Sequence, residues 1–151
     1  MQSSTLVIWQ DKYSLNMSEI DDQHKMLFDI MNRLWNAIIQ RADNQKLADI
    51  LEDLERYTVL HFTEEETFMR SIGYTDFDTH IQYHRTFVSF IQKEKKATQE
   101  GKEVSLELLH FLRDWLVNHI LVEDRRYADQ YQQAEKKPSS FLSRFFARLQ
   151  H

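Results

Sequence analysis

Four long segments of the chain carry apolar residues at the three- and four-residue spacing of an α-helix, and this patterning constrains the fold more than any other feature. The predicted helices span residues 18–41, 46–71, 76–99 and 105–131. With two glycines and one proline in 151 residues, the chain has little material for tight turns. Helices of about 36–42 Å joined by short polar links predict an all-α fold, an antiparallel up-down-up-down four-helix bundle.

Individual residues mark the predicted helix ends. Ser18, with Asp21 three residues later, resembles a capping box at the start of the first helix. Ser105 is a favourable N-terminal cap for the fourth helix. Gly73 suits the left-handed turn that ends many helices, so we expect the second helix to end there.

The chain divides into three predicted parts. Residues 1–17 are irregular with apolar and aromatic side chains, and we expect them to pack as an N-terminal arm on a bundle of residues 18–132. Residues 133–151 carry four basic residues and one acidic residue, a net of +3, so the rest holds −8 of the total charge of −5. Their apolar residues lie on one helical face and predict a C-terminal amphipathic helix. Residues 138–151 would attach to a membrane surface or a protein partner, or fold back over an apolar seam of the bundle.

Composition excludes several classes of protein. Without cysteine the chain has no disulfide, thiolate-held zinc, iron–sulfur cluster or cysteine nucleophile, so imidazole and carboxylate are the available metal ligands. The acidic bundle argues against binding of nucleic acid, which requires a basic surface. The first residues lack the pattern of a secretory signal and no apolar run could span a membrane, so we expect a cytoplasmic protein.

Seven ligand-type side chains fall on the stripes that should face the bundle interior. They are His24, His61, Glu65, His80, His84, His119 and Asp124. Unpartnered imidazoles and carboxylates are costly in a core, so something must satisfy them. The pair His61 and Glu65 has four-residue spacing, as does the pair on the third helix, so each pair projects from one helix face.

Convergence from all four helices indicates a metal site rather than separate hydrogen-bonded core histidines. Seven protein ligands are too many for one first-row ion, and two carboxylates suit bridging, so we expect two ions. An imidazole-rich set without thiolate favours iron, because magnesium and calcium prefer oxygen and zinc takes mostly four ligands. His119 and Asp124 are five residues apart, about 140° around an ideal helix, so their different reach or a local π-bulge must bring them together.

The order and spacing of these residues resemble the hemerythrin family. The matching segments are His24, His61-Phe-Thr-Glu-Glu65, His80-Ile-Gln-Tyr-His84 and His119-Ile-Leu-Val-Glu-Asp124. The start of the chain, from Trp9 through Tyr13 to His24, is similar to the bacterial members. The resemblance covers residues 7 to about 131 and includes all seven ligand positions in order.

The resemblance implies reversible binding of dioxygen at two iron ions joined by an oxo or hydroxo bridge. One iron would be held by His80, His84 and His119, and the other by His24 and His61. Glu65 and Asp124 would bridge both ions, and the second iron would keep an open position for dioxygen.

The resemblance also implies an oxygen pocket. Trp115 and Leu116 match positions that line this pocket in the family, and Phe28, Phe62 and Phe87 are further candidate walls. The alternative for the three phenylalanines is an ordinary place in the core.

Two other functions remain open beside oxygen carriage. The di-iron centre could sense oxygen, nitric oxide or redox state, or it could act as a peroxidase, nitric oxide reductase or ferroxidase. The seven residues contain no Glu-x-x-His motif of the kind that di-iron oxidases use, and five neutral imidazoles favour ferrous iron. We therefore expect a carrier without catalytic residues.

Four acidic residues lie beside the predicted ligands in the sequence. They are Asp22, Glu64, Glu66 and Glu123. We expect them on a solvated face; the alternative for one or two of them is to accept the second N–H of a ligating imidazole.

Overall fold

The computed structural model describes residues 5–135, and its regular elements in that range are all helical. A short 3-10 helix covers Asp11–Tyr13. The longer helices are α1 (Ser18–Ile39), α2 (Asn44–Ser71), α3 (Phe77–Gln99), α4 (Leu106–Asn118) and α5 (Arg125–Glu135). A π-helical segment, His119–Asp124, joins α4 to α5, and helical backbone angles at both junctions make these three pieces one continuous rod.

The predicted all-α bundle is confirmed. The first three helices agree with the predicted limits to within two residues. The Ser105 side chain caps α4 by accepting a hydrogen bond from the backbone N–H of Leu108, as expected. Gly73 follows α2 with a φ of +62°, and the N–H groups of Gly73 and Tyr74 donate to the carbonyls of Arg70 and Met69, which is a Schellman ending.

The capping box predicted at Ser18 is wrong. Met17 is the N-cap residue of α1, and no side chain caps this end. The Asp21 carboxylate instead accepts hydrogen bonds from the Ser14 hydroxyl at 2.6 Å and from the Leu15 N–H at 2.9 Å. Asp21 therefore fastens the preceding chain to the helix rather than capping the helix itself.

The bundle core is a continuous apolar cluster to which four helical rods contribute, namely α1, α2, α3 and the continuous rod from α4 to α5. Leu34 of α1, Leu54 of α2, Ile91 of α3 and Leu112 of α4 are fully buried within it. A smaller cluster around Tyr127 packs α5 against the α2–α3 turn. Between these two clusters lie the ligand-type residues described below.

The side-chain amide of Asn32 holds the first part of the N-terminal arm on the bundle. The Asn32 side chain accepts hydrogen bonds from the N–H groups of Leu6 and Val7 and donates to the Val7 carbonyl, at 2.8–3.0 Å. Arg125 holds the other end of the arm by donating to the carbonyls of Lys12 and Ser14, both at 3.0 Å. The arm is thus fixed to both the first and the last rod.

Within residues 5–135, no helix has the length and apolarity needed to cross a membrane. The predicted amphipathic helix, with its attachment through residues 138–151, lies outside the described residues. The division of the chain at residues 17 and 132 stays a prediction.

Replacing Asn32 by alanine should free the arm. Three hydrogen bonds are lost, and at about 1 kcal/mol each the free energy of unfolding should fall by about 2–3 kcal/mol in urea denaturation. The matched control is Asn36→Ala, one turn later on the same helix, which should change it by less than about 0.5 kcal/mol. Equal losses for the two variants would contradict the role given to Asn32.

Candidate metal centre

The structure brings all seven predicted ligand-type residues together in the middle of the bundle. α1 supplies His24, α2 supplies His61 and Glu65, α3 supplies His80 and His84, and the π segment supplies His119 and Asp124. None of the seven is more than 3% exposed. The seven side chains therefore lie close together in the bundle core, and their role as metal ligands stays a prediction.

Five atoms form what we call the three-histidine group: the Nε2 atoms of His80, His84 and His119, Glu65 Oε1 and Asp124 Oδ1. The His119 nitrogen lies 3.0 Å from that of His80 and 3.1 Å from that of His84. Each carboxylate oxygen lies 3.0–3.1 Å from two of the nitrogens. Neighbouring ligands around an octahedral ion at about 2.1 Å are about 3.0 Å apart, so the spacing suits one first-row ion.

The remaining oxygens of the same carboxylates face a second set of imidazoles, the two-histidine group. Glu65 Oε2 lies 3.1 Å from His61 Nε2 and 3.7 Å from His24 Nε2. Asp124 Oδ2 lies 3.2 Å from His24 Nε2. Each carboxylate thus presents one oxygen to each group, which is the arrangement required to span two ions.

The π segment solves the spacing problem on the fourth rod. In a π turn the backbone N–H bonds to the carbonyl five residues earlier, as Arg125 does with Ile120. Residues five apart then lie on one face, and His119 Nε2 comes within 3.1 Å of Asp124 Oδ1. The π-bulge, one of the two predicted solutions, is confirmed.

The buried polar atoms of the site are not satisfied by hydrogen bonds alone. Within residues 5–135, His24 Nε2, His61 Nε2 and both Asp124 oxygens make no hydrogen bond despite their complete burial. Native cores rarely leave such atoms unpaired, because each costs about 1–3 kcal/mol. Bound cations that accept lone pairs from nitrogen and oxygen would satisfy them all at once.

Burial and the neighbouring charges shift the pKa values of the cluster residues in opposite directions. Desolvation lowers the pKa of His24, but Asp124 and Glu65 outweigh it and raise that pKa to about 9; the same balance raises the pKa of His80 to about 10. Burial dominates at His61 and lowers its pKa. The surrounding imidazoles hold the pKa of both carboxyls below its usual value against desolvation, so Glu65 and Asp124 are ionised.

Comparisons with known proteins identify the family of this chain. The family model named Hemerythrin HHE cation binding domain matches residues 16–131. The chain belongs to the hemerythrin family. It is 32% identical to a bacteriohemerythrin of Pseudomonas aeruginosa, over 95% of this chain and 97% of that protein, and 39% identical to one of Methylococcus capsulatus, over 77% and 88%. A crystal structure of wild-type hemerythrin superposes with a TM-score of 0.77 at 35% identity, covering 83% of this chain and 97% of the other.

Aromatic rings form one wall of this hemerythrin site. The Phe62 ring stacks on the His84 ring with 3.7 Å between the ring centroids, and the Trp115 ring stacks on the His119 ring with 4.7 Å between centroids. Phe87 stacks in turn on Trp115 at 4.4 Å, which extends the wall along the α3–α4 seam. Water is therefore kept from the outer side of the three-histidine group.

The remaining two residues predicted for the oxygen pocket are also buried. Leu116 is in the main core cluster. Phe28, one turn after His24, has ring contacts with Trp9 and Tyr13 of the arm. Their assignment to an oxygen pocket stays a prediction.

Two side chains contact the outer nitrogens of the imidazoles. Glu66 Oε2 lies 2.8 Å from His84 Nδ1, so one of the four acidic neighbours in sequence takes the alternative role. Gln23 Oε1 lies 2.6 Å from His61 Nδ1, and sequence reasoning did not assign Gln23 any role. The only sequence signal was that Gln23 precedes a ligand.

Tyr127 is the other residue of the site that the sequence did not place there. Its ring lies 5.7 Å from that of His80, and its fully buried hydroxyl has no hydrogen-bond partner within residues 5–135. Burial, together with Glu65 and Asp124, raises the pKa of this phenol well above its ordinary value. Tyr127 is therefore a neutral phenol at the edge of the site.

Metal binding should release protons. His24 and His80 have pKa values of about 9 and about 10 without metal, so both are imidazolium at pH 7, whereas a ligating imidazole is neutral. Affinity should therefore rise as the pH increases from 7 towards 9. Titration calorimetry with ferrous iron under argon, in two buffers of different ionisation enthalpy, should give at least about two protons released per chain at pH 7, because the neighbouring carboxylates raise the pKa of His84 as well. A heat that does not depend on the buffer would contradict this charge state.

Proposed function

We propose that this chain holds two iron ions and binds dioxygen reversibly, as an oxygen carrier or store. The observation that supports it most is the unequal number of donors around the two carboxylates. The three-histidine group offers five protein atoms, whereas the two-histidine group offers four: His24 Nε2, His61 Nε2, Glu65 Oε2 and Asp124 Oδ2. One ion would thus keep one coordination position more than the other for an external ligand.

The proposed ligand assignment follows the two groups. His80, His84 and His119 would hold one iron and His24 and His61 the other. Glu65 and Asp124 would bridge them, together with an oxo or hydroxo group that the chain itself does not supply. The spacing of about 3.0 Å between neighbouring donors supports an octahedral first-row ion, and the imidazole-rich set favours iron over magnesium or calcium.

When bound, two ferrous ions would supply the electrons that dioxygen takes up on binding and gives back on release. The chain contributes the surroundings. Phe62, Phe87 and Trp115 exclude water from one side of the site. The two carboxylates balance part of the metal charge, since both remain ionised in the core.

Carriage is favoured over oxidative catalysis by the donor chemistry. Di-iron oxidases use a carboxylate-rich set with Glu-x-x-His motifs, which suits higher oxidation states. The chain has one such spacing, Glu107 to His110, but His110 stacks on Trp35 at 5.3 Å and is not part of the cluster. The relatives named bacteriohemerythrin and myohemerythrin support the carrier role as well.

The test of this function is reversibility. Protein loaded with ferrous iron under argon should gain a visible absorption band in air and lose it under argon over repeated cycles. A band that decays at once and cannot be regenerated, or steady consumption of added peroxide or nitric oxide, would contradict the carrier function and indicate an enzyme.

Removing one ligand should affect one ion. His24→Ala takes one of four donors from the two-histidine group and leaves the three-histidine group intact, so the iron content should fall from about two to about one per chain. The reversible band should disappear as well. His110→Ala is the matched control, because that imidazole lies outside the cluster, and it should keep both irons. Two irons retained in the His24 variant would contradict the assignment.

Attachment of residues 138–151 to an anionic membrane is a second proposal. It is supported by the reversal of charge between an acidic body and a basic, apolar tail. The full chain should sediment with anionic liposomes, and a chain ending at Lys137 should not. Equal sedimentation of both would contradict membrane attachment and leave a protein partner or an intramolecular contact. The acidic body also argues against nucleic acid as a partner.

A further inference from the structure

We propose that Glu66 and Gln23 are positioning residues that add to the electronic inequality between the two halves of the metal centre, so that an iron ion held by the three-histidine group would be oxidised at the lower potential. This inference rests on the proposed function, because it requires two redox-active ions. It concerns neither ligand identity nor the binding of dioxygen. It concerns the order in which the two halves are oxidised.

Glu66 is hydrogen-bonded to the outer nitrogen of the His84 ring, Nδ1. Glu66 Oε2 lies 2.8 Å from His84 Nδ1, and the Glu66 side chain is 26% exposed. A carboxylate accepts a hydrogen bond, so His84 Nδ1 carries the proton and donates it. In the neutral ring that ligates a metal, His84 Nε2 is then the unprotonated nitrogen, and it faces the three-histidine group.

Two hydrogen bonds of the Gln23 side chain fix the orientation of its amide. Its Nε2 donates to Glu64 Oε2, which as a carboxylate oxygen can only accept. The amide oxygen therefore points at His61 Nδ1, 2.6 Å away, and this nitrogen is the donor. His61 Nε2 faces Glu65 and is free to ligate. The network fixes which way the amide points, which the side chain alone would not reveal.

These hydrogen bonds make the imidazoles of the two groups unequal. One imidazole in each group donates its outer N–H, but the acceptor is a charged carboxylate in one case and a neutral amide in the other. Among the described residues, the outer nitrogens of His24 and His80 have no hydrogen-bond partner and so do not offset the difference. The charge of Glu64 stands one side chain further from His61 than the charge of Glu66 stands from His84.

This inequality would change the redox potential of the ion that each group holds. A carboxylate acceptor draws the imidazole proton towards itself and makes the opposite nitrogen a stronger electron donor, more so than an amide does. Stronger donation favours the higher charge of the metal held by that nitrogen. The half that contains His84 is therefore the easier to oxidise, and the half that contains His61 is the harder.

Three isosteric variants separate this effect from a general change of charge. Glu66→Gln replaces the carboxylate at His84 by an amide. The double variant Q23E/E64Q moves the carboxylate of Glu64 next to His61 without changing the net charge, and the new amide can donate back to it. Glu64→Gln is the control, because it removes one nearby charge while Gln23 keeps its bond to His61.

The measurement is a spectroelectrochemical titration of each iron-saturated protein, with the iron content and helical circular dichroism recorded first. The wild type should show two one-electron steps. Glu66→Gln should raise the lower midpoint potential and leave the upper one nearly unchanged. Q23E/E64Q should lower the upper potential and leave the lower one nearly unchanged. The control should raise the upper step, because Glu64 is closer to His61 than to His84, and by less than Glu66→Gln raises the lower one.

Two results would overturn the inference. One is the same shift in Glu66→Gln and Glu64→Gln, which would mean that only overall charge matters. The other is an unchanged separation of the two potentials in Q23E/E64Q, which decides the question by itself if the Glu66 variant fails to retain iron. Wild-type protein that cannot hold two irons would instead contradict the proposed function, so the two failures are distinguishable.

Discussion

The structure depends on the mutual attraction of two buried carboxylates and five buried imidazoles. Charges of this kind are costly to move into a core unless they are paired, and here the pairing is shared among all four rods of the bundle. Glu65 and Asp124 each use both oxygens, one for each group of imidazoles. Because no single rod can satisfy these atoms, their cost is offset only when the whole bundle is assembled.

Local backbone geometry serves this arrangement at two points. The π segment gives up regular α-helical hydrogen bonding over His119–Asp124, and in return both residues point into the site. The arm is fixed by Asn32 and Asp21, so that aromatic rings of the arm pack beside Phe28, one turn from His24. Irregular structure thus occurs where the site or its surroundings require it.

Much of this was predictable from the sequence, because helical spacing reports directly on which residues share a face. The three- and four-residue spacing placed the helices to within two residues for α1 to α3 and assembled the seven polar residues on inward faces. The parts that were missed depend on how helices are rotated against one another. Asp21 satisfied a capping pattern locally, but its carboxylate is used by the arm. Gln23 and Tyr127 reach the site only through contacts with other helices, for which spacing along one helix gives no signal.

We propose that the seven side chains form one site for two ions. The most direct measurement is anomalous diffraction at the iron edge from a crystal of the iron-loaded protein. We expect two peaks in the bundle core, one beside His80, His84 and His119 and the other beside His24 and His61, with Glu65 and Asp124 between them. A single peak, or peaks outside this cluster, would contradict it.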